Sequence, residues 1–185
     1  MKKKIIFIHH GGGIGGAPIS MIQLINNLDK TKYEAIAVFS EPGPIVDLSK
    51  SNGIKTKVLD LKSVFFYGAH VKFKLRTLFN FFIFYFDTVN NVKSLLKSEQ
   101  PDLLYLNTSV LLPVANIIYR HEYPLIWHIR EVPGPNRILR EYQIRKIKKW
   151  ASSIITNSNY VKKYYEPHKK ILTIYNGLNK KDYKI

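Results

Sequence analysis

The residues best placed for chemistry lie near the N-terminus, in Ile5-Ile6-Phe7-Ile8-His9-His10-Gly11-Gly12-Gly13-Ile14-Gly15-Gly16-Ala17-Pro18. An apolar run stops at a loop with five glycines in six positions. A helix then starts at once. Pro18 suits a first helical turn, where no backbone N–H is needed, and Ala17, Met21, Leu24, Ile25 and Leu28 recur at helical spacing. Strand, glycine loop and helix N-terminus together form an anion site. Glycine lets the backbone approach a ligand, and free N–H groups and the helix dipole favour negative charge. The amides of residues 11–17 are therefore expected to converge on a phosphate. Gly11, Gly13 and Gly16 also spell G-x-G-x-x-G. A dinucleotide site would add an acid at the end of the second strand, and Glu41 there precedes Pro42-Gly43-Pro44 and reads as a turn residue.

A second constellation is Trp127-His128-Ile129-Arg130-Glu131, where an apolar strand ends in an imidazole, a guanidinium and a carboxylate. By strand alternation His128 and Arg130 share one face and Trp127 and Ile129 the other. In a polar cleft His128 could shuttle a proton or hydrogen-bond a hydroxyl, and Arg130 could fork onto a phosphate. The plainer reading is an ion pair between Arg130 and Glu131 beside a satisfied histidine. Asn107-Thr108-Ser109 closes the preceding strand with three hydrogen-bonding side chains, of which Ser109 is expected to cap the next helix. Asn157-Ser158-Asn159 repeats that device. His9, His10, His70, His121, His128 and His168 do not make metal-ligand spacing, so no bound metal is expected. No Gly-x-Ser-x-Gly or Gly-Lys-Ser/Thr is present, so neither a hydrolase elbow nor a P-loop is indicated.

These groups need a frame. Strands are expected at residues 4–9, 33–40, 55–59, 102–107, 124–129, 153–156 and 171–175. Helices are expected at 17–28, 44–52, 72–98, 110–120, 137–150 and 158–165. Several strands are apolar on both faces, as in Ile36-Ala37-Val38-Phe39 and Leu103-Leu104-Tyr105-Leu106, which is how buried parallel strands read. Regular alternation gives an α/β, Rossmann-like, doubly wound and mainly parallel sheet of about seven strands, in one domain over residues 1–185. Ligands in such sheets bind beyond the carboxyl ends of the strands.

Composition narrows the partners. The chain has 185 residues, 45% apolar, enough for one core and unlike a disordered chain. It contains no cysteine, which excludes disulfides, thiolate metal sites and a cysteine nucleophile. Lys2-Lys3-Lys4 precede only four apolar residues, too few for a signal peptide, so a cytoplasmic location is expected. The longest apolar block, residues 78–86 interrupted by Asn80, is well short of the roughly 20 residues of a membrane span. The net charge of +16 calls for an anionic partner. Residues 70–86 mix Lys72, Lys74 and Arg76 with seven aromatics, and residues 137–150 carry six cations. Both stretches could rest on an anionic bilayer at the inner face of the cell membrane. No nucleic-acid-binding module appears, so nucleic acid is not the expected partner.

Taken together, these motifs resemble the N-terminal domain of GT-B-fold retaining glycosyltransferases of the family 4 type. The matching features are Gly15-Gly16-Ala17 with Ser20 and Leu24, Tyr33-Glu34, Gly43-Pro44 with Leu48, Gly53-Ile54, Pro101-Asp102, the His128 strand end, Thr156-Asn157-Ser158 and Tyr175-Asn176-Gly177-Leu178. The resemblance implies an acceptor-binding half, with a C-terminal nucleotide-sugar domain not contained in these residues. It implies that Gly13, Gly15, Gly16 and Ala17 meet the donor diphosphate and that His128 is the catalytic residue near the transferred sugar. Asn107, Thr108, Arg130, Glu131 and Asn157 would line the acceptor cleft. The donor would be a nucleotide sugar, the acceptor a glycan or lipid-linked intermediate, and no metal or covalently bound cofactor would be needed. Asn176-Gly177-Leu178-Asn179 lacks the acid usual at that junction. Alone, the domain would turn over poorly or not at all. A nicotinamide-dependent oxidoreductase or epimerase, or a basic nucleic-acid-binding module, are the alternatives.

Overall fold

A computed structural model describes residues 1–62, 79, 81–167 and 170–177. His70, Lys72, Phe73, Lys74, Arg76, Asn80, His168, Leu178 and Asn179 lie outside the described residues. Seven strands alternate with helices: β1 Lys3–His9, α1 Gly16–Asn26, β2 Tyr33–Phe39, α2 Pro44–Ser51, β3 Lys55–Val58, α3 Tyr85–Glu99, β4 Leu103–Leu106, α4 Leu112–Arg120, β5 Leu125–Ile129, α5 Arg137–Trp150, β6 Ser153–Thr156, α6 Asn159–Lys162 and β7 Ile171–Thr173. Every pairing is parallel, and the strand order is β3-β2-β1-β4-β5-β6-β7. This is the expected doubly wound α/β sheet. The chain leaves β1 towards β2 on one side and returns as β4 on the other, so the loops after β1 and β4 diverge and leave a crevice between them.

Alternation along each strand sends side chains to two cores. Ile6, Ile8, Val38, Leu104, Leu106, Trp127 and Ile154 pack under α3, α4, α5 and α6. Ile5, Phe7, Ala37, Phe39 and Tyr105 face α1 and α2. The register stacks Ile8 on Val38 and Leu106, Leu106 on Trp127, and Trp127 on Ile154, giving one continuous buried row. At the amino edge of the sheet, Glu99 at the end of α3 takes Lys4, Lys55 and Lys57, tying β1, β3 and α3 together.

Most element ends fall within a residue or two of the expected ones. The helix expected at 72–98 differs: Phe79 and residues 81–83 are helical, Phe84 interrupts them, α3 runs Tyr85–Glu99, and the expected start lies outside the described residues. Two further differences are informative. Helix α4 starts at Leu112 rather than 110, capped by Leu111 with no side-chain bond. The expected cap, Ser109, is instead buried, and its N–H donates to Glu131 Oε2 at 3.0 Å. Helix α6 has only four residues rather than 158–165; Ser158 does cap it, accepting from Val161 N–H at 3.3 Å. Among the described residues no helix is long and apolar enough to cross a membrane.

Candidate functional site

The glycine loop divides into two parts with different tasks. Gly11 N–H donates to Ser40 Oγ, and Gly12 N–H to Glu41 Oε1 at 3.1 Å. A Cβ on Gly12 would lie 2.7 Å from the carbonyl carbon of Pro42 and 2.8 Å from Glu41 O. Gly12 O accepts from Ile45 N–H at 3.2 Å. The first half of the loop is thus pressed backbone to backbone against the loop after β2. This corrects the expectation that amides 11–17 act as one cradle: those of Gly11 and Gly12 are already satisfied within the protein. Glu41, the residue at the dinucleotide acid position, accepts from the loop itself.

The second half is open. A Cβ on Gly13 or Gly16 would meet nothing within 4 Å. Gly15 is the N-cap of α1 in extended conformation and Ile19 N–H is bonded to its carbonyl. Gly16 and Ala17 follow in the first turn, where N–H groups have no acceptor within the helix. The N-terminus of α1 therefore presents amides that the helix leaves unpaired, and the positive end of its dipole, at the crevice.

Asn107, just past β4, is fully buried and joins this helix to the rest of the site. Its Nδ2 donates to Ala17 O at 2.9 Å and lies 3.3 Å from His9 Nδ1; its Oδ1 accepts from Arg130 Nε at 3.4 Å. Arg130 fans out from the end of β5. It donates to Ser20 Oγ of α1 at 3.1 Å, to Asn176 Oδ1 beyond β7, and to His128 Nδ1 at 3.2 Å. All of these acceptors are neutral. The Arg130–Glu131 ion pair does not form, because Glu131 falls on the opposite side of the sheet. There it accepts from Thr108 Oγ1 at 2.7 Å and from Ser109 N–H. Arg130 is consequently a half-buried cation with no carboxylate on its side chain among the described residues.

His128 is nine-tenths buried, and Tyr105 Oη also meets its Nδ1. A guanidinium can only donate, so Nδ1 carries the lone pair and the proton sits on Nε2. That Nε2 is buried without a partner among the described residues. Burial, then the Arg130 charge, lowers the pKa of His128 to about 3. The imidazole is neutral near pH 7 and acts as a fixed N–H donor. His9, lowered to about 3 by burial and by its neighbour His10, is neutral as well.

Beside this network the sheet bears a groove of about 720 Å³. Its floor is Ile5, Phe7, Leu103, Tyr105, Ile126 and Ile155; α1 forms one wall through Ser20, Gln23 and Leu24, and residues 174–177 the other. It exists because, among the described residues, the apolar cluster on this face draws helices only from α1 and α2. His128 and Arg130 stand in it; Asn107, Thr108, Glu131 and Asn157 are not among its walls. Thr108 is fully buried with Glu131 on the far face, while Asn157 is half-buried with Oδ1 unpaired among the described residues. Sequence reading missed three members of the network. Tyr105 reads as one more apolar strand residue, Ser20 as part of a helix, and His9 as a strand end. Only the parity of Tyr105 with Leu103 carried a signal.

A model for Glycosyltransferase Family 4 matches residues 14–182. The chain belongs to this family. No curated protein matches this family 4 chain by sequence. Among solved structures it is similar to HepE (Alr3699) of Anabaena in complex with UDP and glucose, with a TM-score of 0.69 and 19% identity. That alignment covers 96% of this chain and 45% of HepE. It is similar to a glycosyltransferase of Rickettsia africae ESF-5, with a TM-score of 0.66, 14% identity and coverage of 96% and 44%. MurG of Acinetobacter baumannii gives 0.65, 12%, 96% and 47%. The family 4 chain thus spans less than half the length of these proteins, and the shared feature is the Rossmann-like half of a GT-B fold.

The buried histidines give the family 4 chain a defined acid response. Their pKa values lie below the usual 6.5 when folded. Between about 3 and 6.5 the unfolded chain therefore binds more protons than the folded one. Stability should be full above pH 6.5 and fall as pH drops through that window. Glu99, held down to about 2 chiefly by its bond to Lys57, adds a further loss below its ordinary 4.5. Urea unfolding across pH 4 to 8 should show this slope, and His128→Gln should flatten it. An unchanged slope in that variant would mean that His128 is not held neutral.

Proposed function

We propose that this chain is the acceptor-side half of a retaining glycosyltransferase that moves a sugar from a nucleotide-sugar donor to a glycan or lipid-linked acceptor. A second, C-terminal nucleotide-sugar domain would supply most of the donor contacts, and without it turnover would be poor or absent. The observation that carries the reading is the open N-terminus of α1 beside a cation whose side chain has no carboxylate, and an imidazole N–H that has no acceptor, among the described residues. The Gly16 and Ala17 amides suit the diphosphate of the donor, whose leaving charge grows in the transition state. Preoriented donors stabilise that charge without reorganising. His128 Nε2–H suits a hydroxyl of the transferred sugar. With a pKa of about 3 it donates a hydrogen bond and does not shuttle a proton at neutral pH. Arg130 and Asn107 hold His128 and α1 in register across the crevice. The family membership, and UDP in the HepE structure, support a nucleotide-sugar donor.

Titration of the chain with UDP-glucose, GDP-mannose and NAD, followed through the backbone amide resonances, tests this. A nucleotide sugar is expected to move the Gly15, Gly16 and Ala17 signals, with NAD moving them far less. Gly16→Ala, which has room for its methyl and sits at the first position of α1, should fold normally. It should weaken donor binding by about tenfold by filling the approach to the amides. Equal shifts with NAD, or none with any nucleotide sugar, would remove the proposal.

A further inference from the structure

The layer formed by α3, α4 and α5 bears an exposed apolar stripe that the site does not use. Phe79, Phe82 and Ile83, in the helical segment before α3, and Phe86, in the first turn of α3, are 66%, 62%, 49% and 73% exposed, with the α3 N-cap Phe84 between them. Four large exposed apolar side chains so close along the chain are unusual for a free surface. Within α3, helical spacing leads from Phe86 to Lys93 and Lys97, both exposed. Neither has an acidic partner among the described residues. Asp87, the acid beside the stripe, acts at longer range on Lys62, which is itself paired with Asp60 at 2.7 Å. Helix α5, two helices along in the same layer, repeats the order. Ile138 at its start is 79% exposed, and Arg145 and Lys149 are exposed further on.

Each of these helices returns from the carboxyl edge of the sheet to its amino edge, so the apolar ends gather at the edge where the crevice opens. Lys62, just past β3, stacks over Phe84 at 5.4 Å and places the stripe there. Apolar tips in front with cations behind fit a bilayer. The rings enter the boundary between headgroups and acyl chains, and the lysines meet anionic headgroups. The net charge of +16 attracts the same surface at long range.

We infer that Phe79, Phe82, Ile83 and Phe86, backed by Lys93 and Lys97, form a docking surface for an anionic lipid bilayer. It seats the mouth of the crevice at the membrane interface. This deepens the sugar-transfer reading by placing a lipid-linked acceptor within reach. The two can fail separately, because vesicle binding is read without donor and donor binding without vesicles.

Flotation with vesicles of equal parts phosphatidylglycerol and phosphatidylcholine, at low salt, is the test. The 185-residue chain is expected to float with these vesicles and not with pure phosphatidylcholine. The double variant Phe82→Ser, Phe86→Ser should lower the partition coefficient by about tenfold or more, since affinity scales with inserted apolar area. Lys93→Glu with Lys97→Glu should lower binding and blunt its salt dependence. All four positions are exposed, so melting temperatures should match the parent. A parent that stays unbound, or a double serine variant that floats equally well, overturns the inference. So would a parent dimer in solution that the serine variant dissolves, since the stripe would then be an interface between copies.

Discussion

Trp127→Ala is expected to destabilise the fold by about 5 kcal/mol, the largest single loss among the changes considered. Trp127 is the largest fully buried side chain and lies at the centre of the row Leu106, Trp127, Ile154. Two effects add. Removing the indole opens a cavity in a layer that α4 and α5 cannot refill without moving, worth about 3–5 kcal/mol. The indole Nε1–H also donates to Thr108 O at 2.7 Å, in a place without access to solvent. That carbonyl would then be left unpaired, costing about 1–3 kcal/mol. Trp127→Phe keeps most of the volume and should cost about 2 kcal/mol, chiefly the lost bond. Urea denaturation of the two variants separates the contributions. A Trp127→Ala loss below about 2 kcal/mol would mean that the row is not packed as described.

Gly12→Ala should cost about 3 kcal/mol, whereas Gly13→Ala one residue on should change stability by no more than about 0.5 kcal/mol. The new methyl at Gly12 meets backbone atoms of Glu41 and Pro42, which cannot rotate aside. The reverse also holds, since a Cβ on Gly43 would press into Gly12. Relief requires separating the loops after β1 and β2, and with them the entry into α1. The methyl at Gly13 would enter open space. Thermal melts of the pair decide the matter, and equal melting temperatures would show that the loop does not divide at Gly12.

The architecture was legible because it rests on local periodicity. Strands apolar on both faces, such as Leu103-Leu104-Tyr105-Leu106, can only be central and parallel, and the helical intervals between them force crossovers. Strand parity likewise put His128 and Arg130 together, opposite Trp127. Continued one residue past the strand end, the same parity would have sent Glu131 to the far face, where it binds Thr108 and Ser109. The site was less legible because its bonds join distant parts of the chain. Asn107 meets Ala17, and Arg130 meets Ser20 and Asn176.

By itself, then, the amino-acid sequence determined a doubly wound sheet with a glycine-rich turn and a polar strand end on its carboxyl edge, because residue period and turn chemistry are local. Which glycines are locked and which are open was decided only by the tertiary structure, through the close approach of two loops that neither loop encodes alone. The tertiary structure also set the neutral state of His128 and gave the Arg130 side chain only neutral acceptors among the described residues. Burial at those two positions comes from residues far apart in the chain, brought together by the sheet, whereas the charge beside His128 is that of Arg130 on the same strand end.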